Sequence, residues 1–162
     1  DHLAALLDRS DELIITGGMS AGDTDHVPAA VTALGGETIF HRLGIRPGKP
    51  VFGAHLRNKL ILGLPGNPVS VAVTARVCGG PLLQRSGGKR VAESAPLVEL
   101  VEPSDKLLHL IWYRLVSVDQ TGGVRLVDNR GSGDLVALAR STGFVRIPAG
   151  ATGRGPWPFT AW

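Results

Sequence analysis

The groups best suited to chemistry sit in two short loops. Arg46 and Lys49 stand three positions apart in Arg46-Pro47-Gly48-Lys49-Pro50, and Asn67 and Ser70 stand three apart in Leu64-Pro65-Gly66-Asn67-Pro68-Val69-Ser70. A guanidinium and an ammonium supply charge, an amide and a hydroxyl supply further donors, and all four suit an anion. Proline and glycine fix the backbone of both loops. A third loop, Thr16-Gly17-Gly18-Met19-Ser20-Ala21-Gly22-Asp23, holds three glycines that permit close approach of backbone to a ligand. Asp25 follows it. A carboxylate cannot favour an oxyanion directly, so Asp25 ligates a cation such as Mg²⁺, directly or through water, serves as an orienting acceptor, or simply caps the helix that starts near Pro28.

The elements between these loops must bring them together. Two apolar runs, Val51 to Leu56 and Leu60 to Leu64, flank the polar turn Arg57-Asn58-Lys59. Paired as a hairpin, their outer ends lie side by side and the two donor loops meet. Upstream, Leu3, Leu6 and Leu7 follow helical spacing, and Leu13 to Thr16 reads as a buried parallel strand. Val27 to Leu34 reads as a helix ended by Gly35-Gly36, and Glu37 to Leu43 as a strand. Val69 to Leu83 forms a helix weakened by Gly79-Gly80-Pro81. Helices and strands in this order predict an α/β layered domain. Gln84 to Lys89 is the expected linker. Beyond Val91 the pattern turns to strands at Leu97 to Val101, Leu107 to Val118, Val124 to Val127 and Phe144 to Ile147. A hairpin turn falls at Gln120-Thr121-Gly122-Gly123, a short helical piece at Leu135 to Arg140, and a closing strand at Trp157 to Trp162. The expected division is residues 1–86 as an α/β unit and residues 91–162 as a small β-rich domain, a barrel.

Charge is unevenly distributed. Residues 1–37 hold seven carboxylates and one basic residue, residues 38–92 hold nine Lys or Arg and no carboxylate, and residues 93–162 hold seven of each. An acidic block beside a carboxylate-free basic block is a setting for an anionic ligand with a divalent cation, or else simply a basic face. Nucleic acid is not expected, because the basic block offers little aromatic surface beyond Phe40 and Phe52. The longest apolar stretch, Val69 to Val77, is interrupted by Ser70, Thr74 and Arg76, so no membrane span is expected. The single cysteine, Cys78, excludes an internal disulfide and a cysteine-based metal site, which fits a reducing cytoplasm. The five histidines lack metal-ligand spacing.

In this order, the loop at Thr16–Asp25, the Arg46–Pro50 loop, the Leu64–Ser70 loop and Asn129-Arg130-Gly131-Ser132-Gly133 resemble motifs of the MoeA/gephyrin E-domain family, the molybdopterin molybdotransferases. The resemblance implies that residues 1–86 are the second half of a molybdopterin-binding, MogA-like three-layer domain and that residues 91–162 are the family's C-terminal β-barrel. The family's N-terminal domains, and an acidic segment of the first half-domain, have no counterpart here. The chain is therefore expected to be the C-terminal portion of a longer protein. The implied reaction inserts molybdate into adenylylated molybdopterin and releases AMP, with Mg²⁺, in a homodimer. The implied catalytic residues are Asp25 and Lys49, with Asp25 also the metal ligand. Gly17, Gly18, Ser20, Arg46, Lys49, Pro50, Asn67, Ser70, Arg114 and Ser132 would bind the substrate or anion. Arg46 replaces the family's first lysine, and Val136 and Ala137 stand where serines are common. Without the resemblance, Arg114 reads as an outward strand residue, Asn67 as a turn former and the tryptophans as packing groups. The alternative to an enzyme is a non-catalytic module that binds a pterin or an anion.

Overall fold

The computed structural model describes residues 2–19, 26–90 and 94–162. In the first sheet, β1 (Glu12–Thr16), β5 (Lys59–Leu64), β4 (Phe52–Leu56) and β2 (Glu37–His41) lie in that spatial order. β1 runs parallel to β5, and the other pairings are antiparallel. The hairpin forms as its sequence dictates, but its turn is tighter than expected. Arg57 and Asn58 both adopt positive φ, as a two-residue hairpin loop requires, and Lys59 already pairs with Leu56 as the first residue of β5.

Alternation along the strands divides the sheet into two faces. Phe52, Ala54, Leu56 and Ile61 point to a core shared with Leu7 of α1 (His2–Asp8) and Val31 of α2 (His26–Ala33). Leu62 and Leu64 point the other way, to a core shared with Val69 and Val73 of α3 (Pro68–Thr74). Helices therefore cover both faces of a mixed sheet, as the α/β reading predicts. One expectation needs correcting. Ile14 in β1 is 38% exposed rather than buried, because β1 is the edge strand here and has a neighbour on one side only.

The helix after Pro68 does not break at its glycines. It widens into a π-turn at Ala75–Gly79, where the Gly80 N–H reaches back five residues to the Ala75 carbonyl. The wider turn accommodates Pro81, whose ring would otherwise meet the preceding turn. α4 (Gly80–Ser86) then continues through the first half of the expected linker, so Gln84 to Ser86 are helical. The chain leaves the helix at Gly87 and Gly88.

The second sheet contains β3 (Ile45–Arg46), β7 (Ile111–Val118), β9 (Gly143–Ile147), β10 (Trp157–Ala161) and β6 (Leu97–Val98) in spatial order, with β8 (Val124–Leu126) also on β7. An isolated bridge joins Leu100 to Val124, so the strand order returns on itself. The sequence does not announce β3. Its two residues come from the first donor loop and pair in parallel with Ile111 and Trp112. The same crossing appears in the interior, where Ile45, Val51, Leu64 and Val73 share a core with Tyr113, Leu115 and Phe144. α5 (Leu135–Arg140) is capped by Asp134, whose carboxylate accepts from the Ala137 N–H at 3.0 Å. A bond from the Arg130 N–H, and after it the one from Ala137, hold the Asp134 carboxyl below its ordinary pKa.

Candidate anion site

β3 carries the Arg46 loop against β7, and the hairpin and α3 carry the Asn67 loop to the same place. The result is a cavity of about 600 Å³. Arg46, Lys49 and Pro50 line it from one side, Asn67 and Ser70 from another, with Arg114 from β7 and Ser132 from the loop between β8 and α5. Seven of the expected binding residues thus meet around one space.

The loops are held by named bonds. The Lys49 carbonyl accepts from the Leu43 N–H at 2.9 Å, and the Val51 N–H donates to the Gly48 carbonyl at 3.1 Å. These bonds commit the loop backbone and leave the Lys49 ammonium exposed at the cavity. The Asn67 amide donates to the Ser132 hydroxyl at 2.9 Å, and the Val69 N–H donates to the Ser132 carbonyl at 2.9 Å. Ser132 therefore ties the Asn129–Gly133 loop to the start of α3. We expect Asn67→Ala and Ser132→Ala to be coupled by about 1 kcal/mol in a double-mutant cycle of urea unfolding, because one hydrogen bond joins them.

Electrostatics favour an anion. Arg46, Lys49, Arg114 and Arg130 all line the cavity, and among the described residues no carboxylate does. The ion pairs among the described residues are Arg57–Asp8, Arg125–Glu102 and Arg125–Asp119, none of them at the cavity. Burial pushes the Arg114 guanidinium below its ordinary range; Asp128 opposes that, and the nearby charge of Arg46 adds to it. Two converging guanidiniums, neither in an ion pair among the described residues, provide charge that a tetrahedral dianion would balance.

Gly17 and Gly18 do not line this cavity. Both have positive φ, and the Gly17 N–H donates to the Leu64 carbonyl at 2.9 Å, which places their loop beside Pro65 and Gly66. Ser20 and Asp25 lie outside the described residues. Among those described, no group of three or more His, Cys, Asp or Glu side chains could hold a metal ion. A hard divalent cation needs several oxygen ligands, so the described cavity does not itself fit Mg²⁺. The residues that sequence reasoning missed are Trp112, Tyr113, Asn129 and Arg130. The Arg130 loop was visible as a motif, and Trp112 could have been found from its place two residues before Arg114 on the same strand face.

Proline-braced loops that gather four cations around one cavity make a site chemically suited to an anion. Residues 1–85 match the family described as "Probable molybdopterin binding domain". The chain belongs to that family and, with its relatives, to the MoeA proteins. It is 38% identical over 141 residues to the molybdopterin molybdenumtransferase of Synechococcus elongatus, covering 85% of this chain and 34% of that protein. To the molybdopterin molybdenumtransferase of Nostoc it is 29% identical over 166 residues, covering 94% of this chain and 37% of that protein. The molybdopterin biosynthesis MoeA protein of Pyrococcus horikoshii shares the fold, with a TM-score of 0.76 over 98% of this chain and 40% of that one at 24% identity. The chain thus spans 34% to 40% of the length of these relatives.

Proposed function

We propose that this chain carries the oxyanion-holding wall of a molybdopterin molybdenumtransferase acting in molybdenum cofactor biosynthesis. The observation that carries the reading is the meeting of Arg46, Lys49 and Arg114 around one proline-braced cavity. In this reading molybdate is the anion, bound by those three cations with Ser70 and Asn67 nearby. Adenylylated molybdopterin is the co-substrate, and AMP is released as molybdate enters the dithiolene. Lys49 is the proposed catalytic cation, since it is the exposed, mobile charge that can follow an oxyanion through the reaction. Mg²⁺ would serve the phosphate, with Asp25 as its proposed ligand; no step is assigned to it through the described cavity.

The second sheet, returning on itself at Leu100 and Val124, supports reading residues 91–162 as a small β-barrel domain. Helices on both faces of the first sheet support residues 1–86 as part of a three-layer domain. A homodimer in the cytoplasm belongs to the same proposal. No helix among the described residues is long and apolar enough to cross a membrane.

The alternative, an anion- or pterin-binding module without turnover, is favoured by one observation: the charged residues described at the cavity are all cations. One experiment separates the two. The protein is mixed with adenylylated molybdopterin, Mg²⁺ and molybdate, and AMP is measured. AMP release that requires molybdate is the expected result. Molybdate binding without AMP release would leave the module, and neither binding nor release would sink both.

A further inference from the structure

The Arg114 guanidinium lies 4.3 Å from the centroid of the Trp112 ring, and the Arg46 guanidinium lies 6.0 Å from it. The arrangement follows from the strand register. Trp112 and Arg114 are two apart on β7, so they share a face, and Arg46 of β3 is the register partner of Trp112. Trp112 also lines the cavity. The geometry points to Trp112 as a positioning residue for the anion site: its indole face holds both guanidiniums together so that two like charges converge on one oxyanion. This rests on the oxyanion reading of the cavity.

The physical need is clear. Arg46 and Arg114 repel each other, and Asp128 draws on Arg114. Without a platform, Arg114 would relax toward that carboxylate and away from Arg46. An aromatic face attracts each cation through its quadrupole without neutralising it. A carboxylate would hold the arginines equally well but would cancel the charge that the ligand needs. The ring also packs against the buried cluster that includes Val116, Val145 and Ile147, which fixes the platform. Lys106 lies 5.9 Å from the same ring centroid but does not line the cavity. It adds a third cation to the platform rather than a ligand contact.

The test uses molybdate binding to the full chain by calorimetry, with tryptophan emission followed in parallel. Trp112→Leu keeps an apolar side chain but loses the face, and its affinity is expected to fall about tenfold. Trp112→Phe keeps a face and should bind within about threefold of the parent. Molybdate should change indole emission in the parent, and that change should vanish in Trp112→Phe although binding persists. Trp112→Met replaces the leucine variant if the latter fails to fold. Equal affinity of the parent and Trp112→Leu would overturn the inference and leave the oxyanion reading standing. Equal damage in Trp112→Phe and Trp112→Leu would reduce Trp112 to a packing residue and overturn it as well. A parent that takes up no molybdate would remove the oxyanion reading and the role of Trp112 with it.

Discussion

Arg114→Ala is expected to weaken molybdate binding about 30-fold, the equivalent of about 2 kcal/mol, because a hydrogen bond from a charged donor to a charged acceptor contributes in that range. The same substitution should leave the melting temperature of the ligand-free protein unchanged or slightly higher. The two effects have opposite signs for one reason. Burial pushes Arg114 below its ordinary pKa, Asp128 only partly opposes that and Arg46 adds to it, so the ligand-free protein carries an unfavourable charge there. The anion relieves that cost when it binds; removing the guanidinium relieves it without a ligand. A residue kept for packing alone would behave otherwise, losing stability and leaving affinity intact. Lys49→Ala should weaken binding in the same direction with no change in melting, since its side chain is exposed and its carbonyl bond to Leu43 is retained. Calorimetric titration beside thermal melts of both variants checks the pair. An Arg114→Ala protein that binds molybdate as tightly as the parent would mean that this cavity is not the oxyanion site.

How much of this was legible beforehand can be judged from particular residues. The hairpin was readable because two short apolar runs, Val51 to Leu56 and Leu60 to Leu64, flank the polar turn Arg57-Asn58-Lys59. The meeting of the Arg46 and Asn67 loops then followed from strand pairing alone. β3 was not readable. Two residues carry no periodicity, and Ile45 and Arg46 become a strand only because Ile111 and Trp112 lie beside them. Without β3, Arg114 had no visible reason to approach Arg46, and its inclusion rested on family likeness. Reading Trp112 as a packing group is half right: the ring packs against the core of the second sheet, and its face meets two arginines. The π-turn at Ala75–Gly79 shows the same limit. Gly79-Gly80-Pro81 signals a weak point, but whether a helix ends there or widens depends on what it packs against.

Gly48→Ala should destabilise the protein by about 3 kcal/mol in urea unfolding. Two separate costs combine. Gly48 has φ +100°, a region that an L side chain enters at about 1–2 kcal/mol. An added Cβ would also run into the methyl of Thr74, and such overpacking costs about 1–3 kcal/mol. Thr74 cannot yield easily: it is fully buried, and its hydroxyl donates to the Ser70 carbonyl at 2.7 Å. Two further variants separate the terms. Gly35 has φ +81° with nothing within 4 Å of a built Cβ, so Gly35→Ala should show the backbone cost alone. Thr74→Ser removes the obstructing methyl and keeps the hydroxyl, so adding it to Gly48→Ala should recover the steric part and leave the backbone part. The consequence reaches the site, because Gly48 lies between Arg46 and Lys49 in the loop that holds both cations. A loop displaced by the methyl clash would move the two charges apart, so Gly48→Ala should also weaken molybdate binding, and Thr74→Ser should restore much of it. Recovery of stability without recovery of binding would show that the backbone conformation at Gly48, rather than the fit against Thr74, is what aims the two side chains.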